Sequence, residues 1–187
     1  MHMSRENAFS ERFWGRIPIE TGTAMYFFNR KSPIQKALHR LKYQNQPDIG
    51  VRIGWLMGNL LRQSPMYQQL DGIVPVPLHP QKEHLRGYNQ SEKLAEGLTE
   101  ALNAPVLKGV LVRTSISDSQ TRKKRMARFE NVNEMFAVRH PDRVKNSHLL
   151  LVDDVLTTGA TLEACGKQLL DVPNVRLSMA TIAIAVH

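Results

Sequence analysis

The stretch "HLLLVDDVLTTGATLEACGKQLL", His148–Leu170, limits the possible folds more than any other part of the chain. Leu149, Leu150, Leu151 and Val152 form a continuous apolar run, the pattern of a strand buried on both faces. Two aspartates follow, then threonines around a glycine, then an eleven-residue pattern that predicts a helix. Strand, tight loop and helix make half of a βαβ unit, so the expected class is α/β with a mainly parallel sheet.

The same stretch points to chemistry. Ligands of open α/β sheets bind at the carboxyl ends of the strands. Asp153 and Asp154 stand at such an end. The helix that follows opens with amides that lack intrahelical partners and a dipole that favours an anion. Thr157, Thr158 and Thr161 add hydroxyl donors, and Gly159 lets the backbone come close. Amides and hydroxyls suit a phosphate, and carboxylates accept hydrogen bonds from sugar hydroxyls. A phosphate joined to a polyol fits both halves.

Two other readings are weaker. A P-loop NTPase also ends an apolar strand on acids, but it needs GxxxxGK[ST]. The only Gly-Lys pair is Gly166-Lys167, inside the predicted helix and followed by Gln168. A simple helix cap uses one acid several positions nearer the helix.

The remaining chain supplies strands and helices in alternation. "SPIQKALHRLKYQ" starts with Ser32 as cap, Pro33 at the first helical position and Gln35 to complete a capping box. Ile34, Ala37, Leu38 and Leu41 share a face. His39, Lys42 and Tyr43 on that helix read as packing residues. A second helix is predicted over Asp48–Arg62. Its glycines, Gly50, Gly54 and Gly58, recur every four residues, which fits tight helix packing in a core. "DGIVPVPLHP" begins as a strand and leaves the sheet near Pro75 and Pro77, which lack ladder donors. "NQSEKLAEGLTEALN" is an amphipathic helix capped by Asn89. "APVLKGVLVR" and "NVRLSMATIAIAV" read as strands. "TSISDSQTRKKRMARFENV" is polar and basic and reads as a long loop.

Composition closes off several classes. One cysteine, Cys165, allows no intrachain disulfide and no cysteine-rich zinc site, and reads as a small core residue in a reducing compartment. No apolar run approaches the roughly 20 residues of a bilayer span, so no membrane insertion is expected, and a cytoplasmic location is. A net charge of +8 draws anions such as nucleic acid or phosphorylated small molecules.

"LLLVDDVLTTGATL" resembles the ribose-phosphate signature of the phosphoribosyltransferases, whose ligand is phosphoribosyl pyrophosphate (PRPP). "HRLKYQNQPDIG", "DGIVPVPLHP", "LRGYNQSEKLAEGL" and the basic stretch occur with it in an order similar to that of the ComF/GntX-type competence proteins. That family is phosphoribosyltransferase-like and associated with DNA uptake in transformation. The resemblance implies a type I phosphoribosyltransferase-like fold, with about five strands and a small N-terminal hood of the first strand and helix. It divides the chain into an extension, 1–22, and a domain, 23–187, with the hood mostly in 23–63.

The resemblance also assigns residues. Asp153 and Asp154 approach the ribose hydroxyls. Thr157, Thr158, Gly159, Ala160 and Thr161 wrap the 5′-phosphate. Lys82, His84, Arg86 and Gly87 lie in a pyrophosphate loop, where the Arg86 guanidinium matches phosphate oxygens. Arg122, Lys123, Lys124, Arg125 and Arg128 form a flexible basic loop. That loop either closes over PRPP or contacts nucleic acid; Phe129 is the only aromatic nearby, which speaks against a stacking platform. Magnesium is expected with PRPP, near Asp153 and Asp154. Members of the family usually begin with a four-cysteine zinc ribbon, which one cysteine cannot build, so no zinc is expected here. Purine-salvage enzymes carry a carboxylate where this chain has Thr157, which disfavours a purine acceptor. The implied function is a PRPP-binding protein of the competence system that transfers phosphoribosyl to an unknown acceptor. The alternative is a non-catalytic component that handles single-stranded DNA or binds competence proteins.

Overall fold

The computed structural model describes residues 6–28, 32–114 and 135–185. The main sheet holds four parallel strands: β1 (Thr21–Phe28), β2 (Gly72–Pro75), β5 (His148–Leu156) and β6 (Arg176–Ala185), in the order β1-β6-β5-β2. Helices α1 (Pro33–Tyr43), α2 (Asp48–Leu61) and α4 (Gln90–Leu102) cover one face, and α5 (Ala160–Leu170) covers the other. Side chains alternate along a strand. Leu149 and Leu151 therefore enter the core under α5, while Leu150 and Val152 enter the core under α2 and α4. The α/β class and the parallel sheet are those expected from the sequence.

Among the described residues the sheet has four strands, where about five were expected. The predicted strand "APVLKGVLVR" divides. Val106 makes a single bridge to Ile73 on the free edge of β2, and the chain then turns at Gly109. Its second half becomes β3 (Leu111–Arg113), which pairs antiparallel with β4 (Phe136–Val138) in a separate ribbon.

The N-terminal boundary also differs from the expectation. Among the described residues, 6–22 pack against the domain. Phe9 and Phe13 are fully buried, their rings 5.5 Å apart, in the core beneath α5. Burying two phenylalanines contributes on the order of 4 kcal/mol. β1 likewise lies in the main sheet beside β6, not in a separate hood.

Helix caps follow the sequence signals. The Ser32 hydroxyl accepts from the Gln35 amide, and Asn89 Oδ1 accepts from the Ser91 amide at 2.9 Å. The glycines of α2 lie against α4. A Cβ on Gly58 would stand 2.8 Å from Ala101 Cβ, and one on Gly54 would stand 2.9 Å from Gly97 Cα and overlap the Leu94 carbonyl. The helices touch backbone to backbone here, which only glycine permits.

Candidate functional site

From β2 the chain crosses through α4 to Val106, outside the β2 edge. From β5 it crosses through α5 to β6, the opposite way and on the other face. Between β2 and β5 the winding reverses, and ligands of open α/β sheets bind at the carboxyl ends beside such a point. β2 stops at Pro75, whose partner is Val152. Beyond that pair β5 runs on through Asp153 to Leu156, beside β6 alone. The end of β2 at Pro75 thus leaves open the crevice on which the acid pair stands.

The two carboxylates are held differently. Asp153 Oδ1 accepts from the Ser91 hydroxyl at 2.9 Å and from the Asp154 amide at 2.8 Å. Ser91 sits in the first turn of α4, fixed by the Asn89 cap, and Asn89 Nδ2 donates to the Val76 carbonyl at 2.9 Å. Asp154 is 5% exposed, and its Oδ2 lies 2.8 Å from Lys42 Nζ at the end of α1. The ammonium sits off the angle of a hydrogen bond, so the contact is ionic. Of the pair, Asp153 is the more open to the crevice.

Burial and, secondly, the neighbouring Asp154 carboxylate push the Asp153 carboxyl up from 3.8 to about 7; the Asp154 amide, Ser91 and Lys42 oppose the shift. The folded chain therefore binds this proton more tightly than the unfolded chain. The stability from this group is full below about pH 4 and is lost as pH rises through 7. Asp153→Asn is accordingly expected to leave stability at pH 4 nearly unchanged and to raise it at pH 8 by about 2 kcal/mol. Urea midpoints at both pH values test this, and parallel pH profiles for parent and variant would sink it.

The loop from Thr157 to Thr161 connects β5 to α5. Gly159 caps the helix at φ +82°, and its carbonyl accepts from the Glu163 amide at 2.8 Å. Thr157, Thr158 and Thr161 are exposed. Arg16 braces the loop from outside the crevice. Its Nη1 donates to the Thr158 carbonyl at 3.0 Å and its Nε to Glu163 Oε2 at 2.8 Å, while Lys167 holds the other oxygen of Glu163 at 2.7 Å. With the Thr158 carbonyl tied back and α5 opening behind Gly159, the loop offers hydroxyls and first-turn amides, a setting for an anion.

The structure thus brings Asp153, Asp154 and Thr157–Thr161 to one end of β5. The predicted pyrophosphate loop is instead a short helix, α3 (Pro80–Arg86), capped by Gly87 at φ +82°. Proline at its first position and His79 Nδ1 accepting from the Gln81 amide explain why it coils. Lys82 and His84 are exposed on it. Arg86 turns back onto α4, where it donates to Gln90 and lies 5.9 Å from the centre of the Tyr43 ring. Arg122, Lys123, Lys124, Arg125 and Arg128 lie outside the described residues. Sequence reasoning missed the roles of Ser91, Lys42 and Arg16. "LKY" and "YNQS" contain the first two, but neither signals which acid they meet. Arg16 has no local cue.

No family model matches the chain. It is 30% identical over 141 residues to Competence protein F of Haemophilus influenzae, a span covering 73% of this chain and 62% of the relative. It is 30% identical over 143 residues to DNA utilization protein YhgH of Escherichia coli, covering 74% and 61%. With Competence protein ComFC of Bacillus subtilis it shares 32% over 99 residues, covering 53% and 38%. The chain therefore spans about three-fifths of the length of the first two relatives. Among solved structures it overlaps adenine phosphoribosyl transferase from Trypanosoma brucei at 14% identity and a TM-score of 0.47, covering 84% of this chain and 82% of that one. It overlaps glutamine phosphoribosylpyrophosphate amidotransferase from B. subtilis at 17% and 0.48, covering 75% and 30%. Three-tenths identity sustained over most of the chain, on a parallel sheet with an acid pair at its switch point, has one consequence: the chain belongs to the ComF-type family, on an α/β fold with a parallel sheet.

Proposed function

We propose that this chain binds PRPP at the carboxyl end of β5, within a competence-type DNA-uptake system. The observation that carries the reading is the continuous arrangement of the acid pair, the threonine loop and the start of α5. Asp153 accepts hydrogen bonds from the ribose hydroxyls, positioned by Ser91. The loop Thr157–Thr161 takes the 5′-phosphate through hydroxyls and amides, and Arg16 keeps the Thr158 carbonyl turned away. Arg86, released from Gln90, reaches the pyrophosphate side of the crevice, where a guanidinium stabilises departing charge.

Among the described residues no cluster of three or more acids, histidines or cysteines forms a cation cage. That donor set suits magnesium, which favours one or two carboxylates together with substrate phosphates and waters. Asp153 and Asp154 would hold it through waters, and when bound it would neutralise charge on the leaving pyrophosphate. Transfer of phosphoribosyl to an acceptor follows if a nucleophile reaches ribose C1. Thr157 offers no base near neutral pH, so an acceptor that needs no deprotonation fits best.

Titration calorimetry of PRPP with magnesium tests the reading, using the parent and Asp153→Asn/Asp154→Asn. Saturable heat from the parent and loss of at least about tenfold in affinity in the folded variant are expected, since each charge-assisted bond contributes about 1.5–3 kcal/mol. A folded parent that gives no heat would end the PRPP reading. A role in handling DNA or binding a partner without turnover would then stand.

A further inference from the structure

We propose that the groove between α1 and α2 is a docking site for an acidic peptide segment of a partner protein, one that carries apolar side chains between its carboxylates. The two helices bury Leu38, Leu41, Ile53 and Met57 between themselves and the sheet. On their outer seam they leave a hollow of about 430 Å³, floored by Ala37, Ile49 and Ile53. Lys36, Arg40 and Arg52 line the same hollow, and all three are exposed.

This concentration of charge is unfavourable in the isolated chain. Lys36 and Arg40 are one turn apart on α1, where like charges repel. Arg52 adds a third cation from α2. Among the described residues none of the three is in an ion pair, whereas Arg16, Lys42, Lys93, Lys108, Lys145 and Lys167 all are. Asp48, one turn before Arg52, opens α2 but makes no ion pair with it. An incoming set of carboxylates relieves the repulsion and meets three cations at once.

The floor decides which anion. Nucleic acid would satisfy the cations, but single strands also need aromatic faces on which to stack their bases. Ala37, Ile49 and Ile53 are aliphatic, and among the described residues no aromatic side chain lines the hollow. An amphipathic helix laid in a groove presents leucine-type side chains to such a floor and keeps acids on its flanks. This site does not depend on the PRPP reading. It lies on the outer side of α1, while Lys42 of the same helix reaches inward to Asp154.

The test is fluorescence anisotropy with a labelled helical peptide. The peptide carries leucines three and four residues apart and glutamates between them. Its controls replace every glutamate by glutamine or every leucine by serine. Saturable binding by the parent, weaker binding of both controls and a loss of about tenfold or more in Lys36→Glu/Arg40→Glu/Arg52→Glu are expected. Hydrogen exchange should then slow within residues 33–53. If the triple variant unfolds, Lys36→Gln/Arg52→Gln replaces it, with a proportionately smaller loss. No binding to the parent, equal binding by the folded variant, or displacement of the peptide by oligothymidylate would each overturn the proposal; displacement would assign the groove to nucleic acid.

Discussion

Lys42→Met is expected to lower the stability of the chain by about 3 kcal/mol at neutral pH, near the lower end of the range for breaking a buried pair. Methionine keeps most of the aliphatic stem but removes the ammonium that stands 2.8 Å from Asp154 Oδ2. Asp154 is 5% exposed and has Asp153 as its neighbour, so a stranded carboxylate there has neither water nor a cation. Lys42→Met/Asp154→Asn removes both charges and should recover most of the loss. Urea denaturation of the four members of this cycle at pH 8 measures the coupling. A single variant as stable as the parent at pH 8 would mean that water reaches the pair.

Gly97→Ala should be comparably damaging although it adds one methyl group. A Cβ there would stand 2.8 Å from the Trp55 amide nitrogen and 2.9 Å from Gly54 Cα, and would overlap the Val51 carbonyl oxygen. These are backbone atoms of α2, so no rotamer change makes room and the two helices must part. Alanine in mid-helix gains about 1 kcal/mol over glycine in propensity. Overpacking against fixed backbone outweighs it, for a net loss of about 2 kcal/mol. The consequence reaches the crevice, because α4 carries Ser91, whose hydroxyl holds Asp153. Thermal melts read the stability loss. A Gly97→Ala variant that melts above the parent would show that propensity wins and that the helices separate at little cost.

The elements that could be read from the sequence are those with local signals. The caps at Ser32 and Asn89 need only a side chain and an amide two or three residues away. β2 ends at Pro75, where the paired prolines of the sequence marked the exit from the sheet. The four-residue spacing of Gly50, Gly54 and Gly58 announced close packing, though not that Gly97 of α4 is the partner. Residues 80–86 coil where a loop was expected, because "HPQKEHLR" carries a local helix signal, a capping residue and then proline. Phe9 and Phe13 were overlooked because two aromatics in a polar stretch have no periodicity to mark them as core.

By itself the sequence determined the α/β class, the strand–loop–helix around the acid pair and the threonines and glycine of that loop. These depend on apolar runs, turn chemistry and helix termini, all set within a few neighbours. The tertiary structure alone decided that Asp154 is neutralised by Lys42, that Asp153 is held by Ser91 from 62 residues away, and that Arg16 braces the loop at Thr158 from 142 residues away. It also decided that β1 joins the sheet beside β6. Such pairings form where desolvated surfaces meet, and charge partners in a low-dielectric crevice are chosen by proximity in space, which no local pattern encodes.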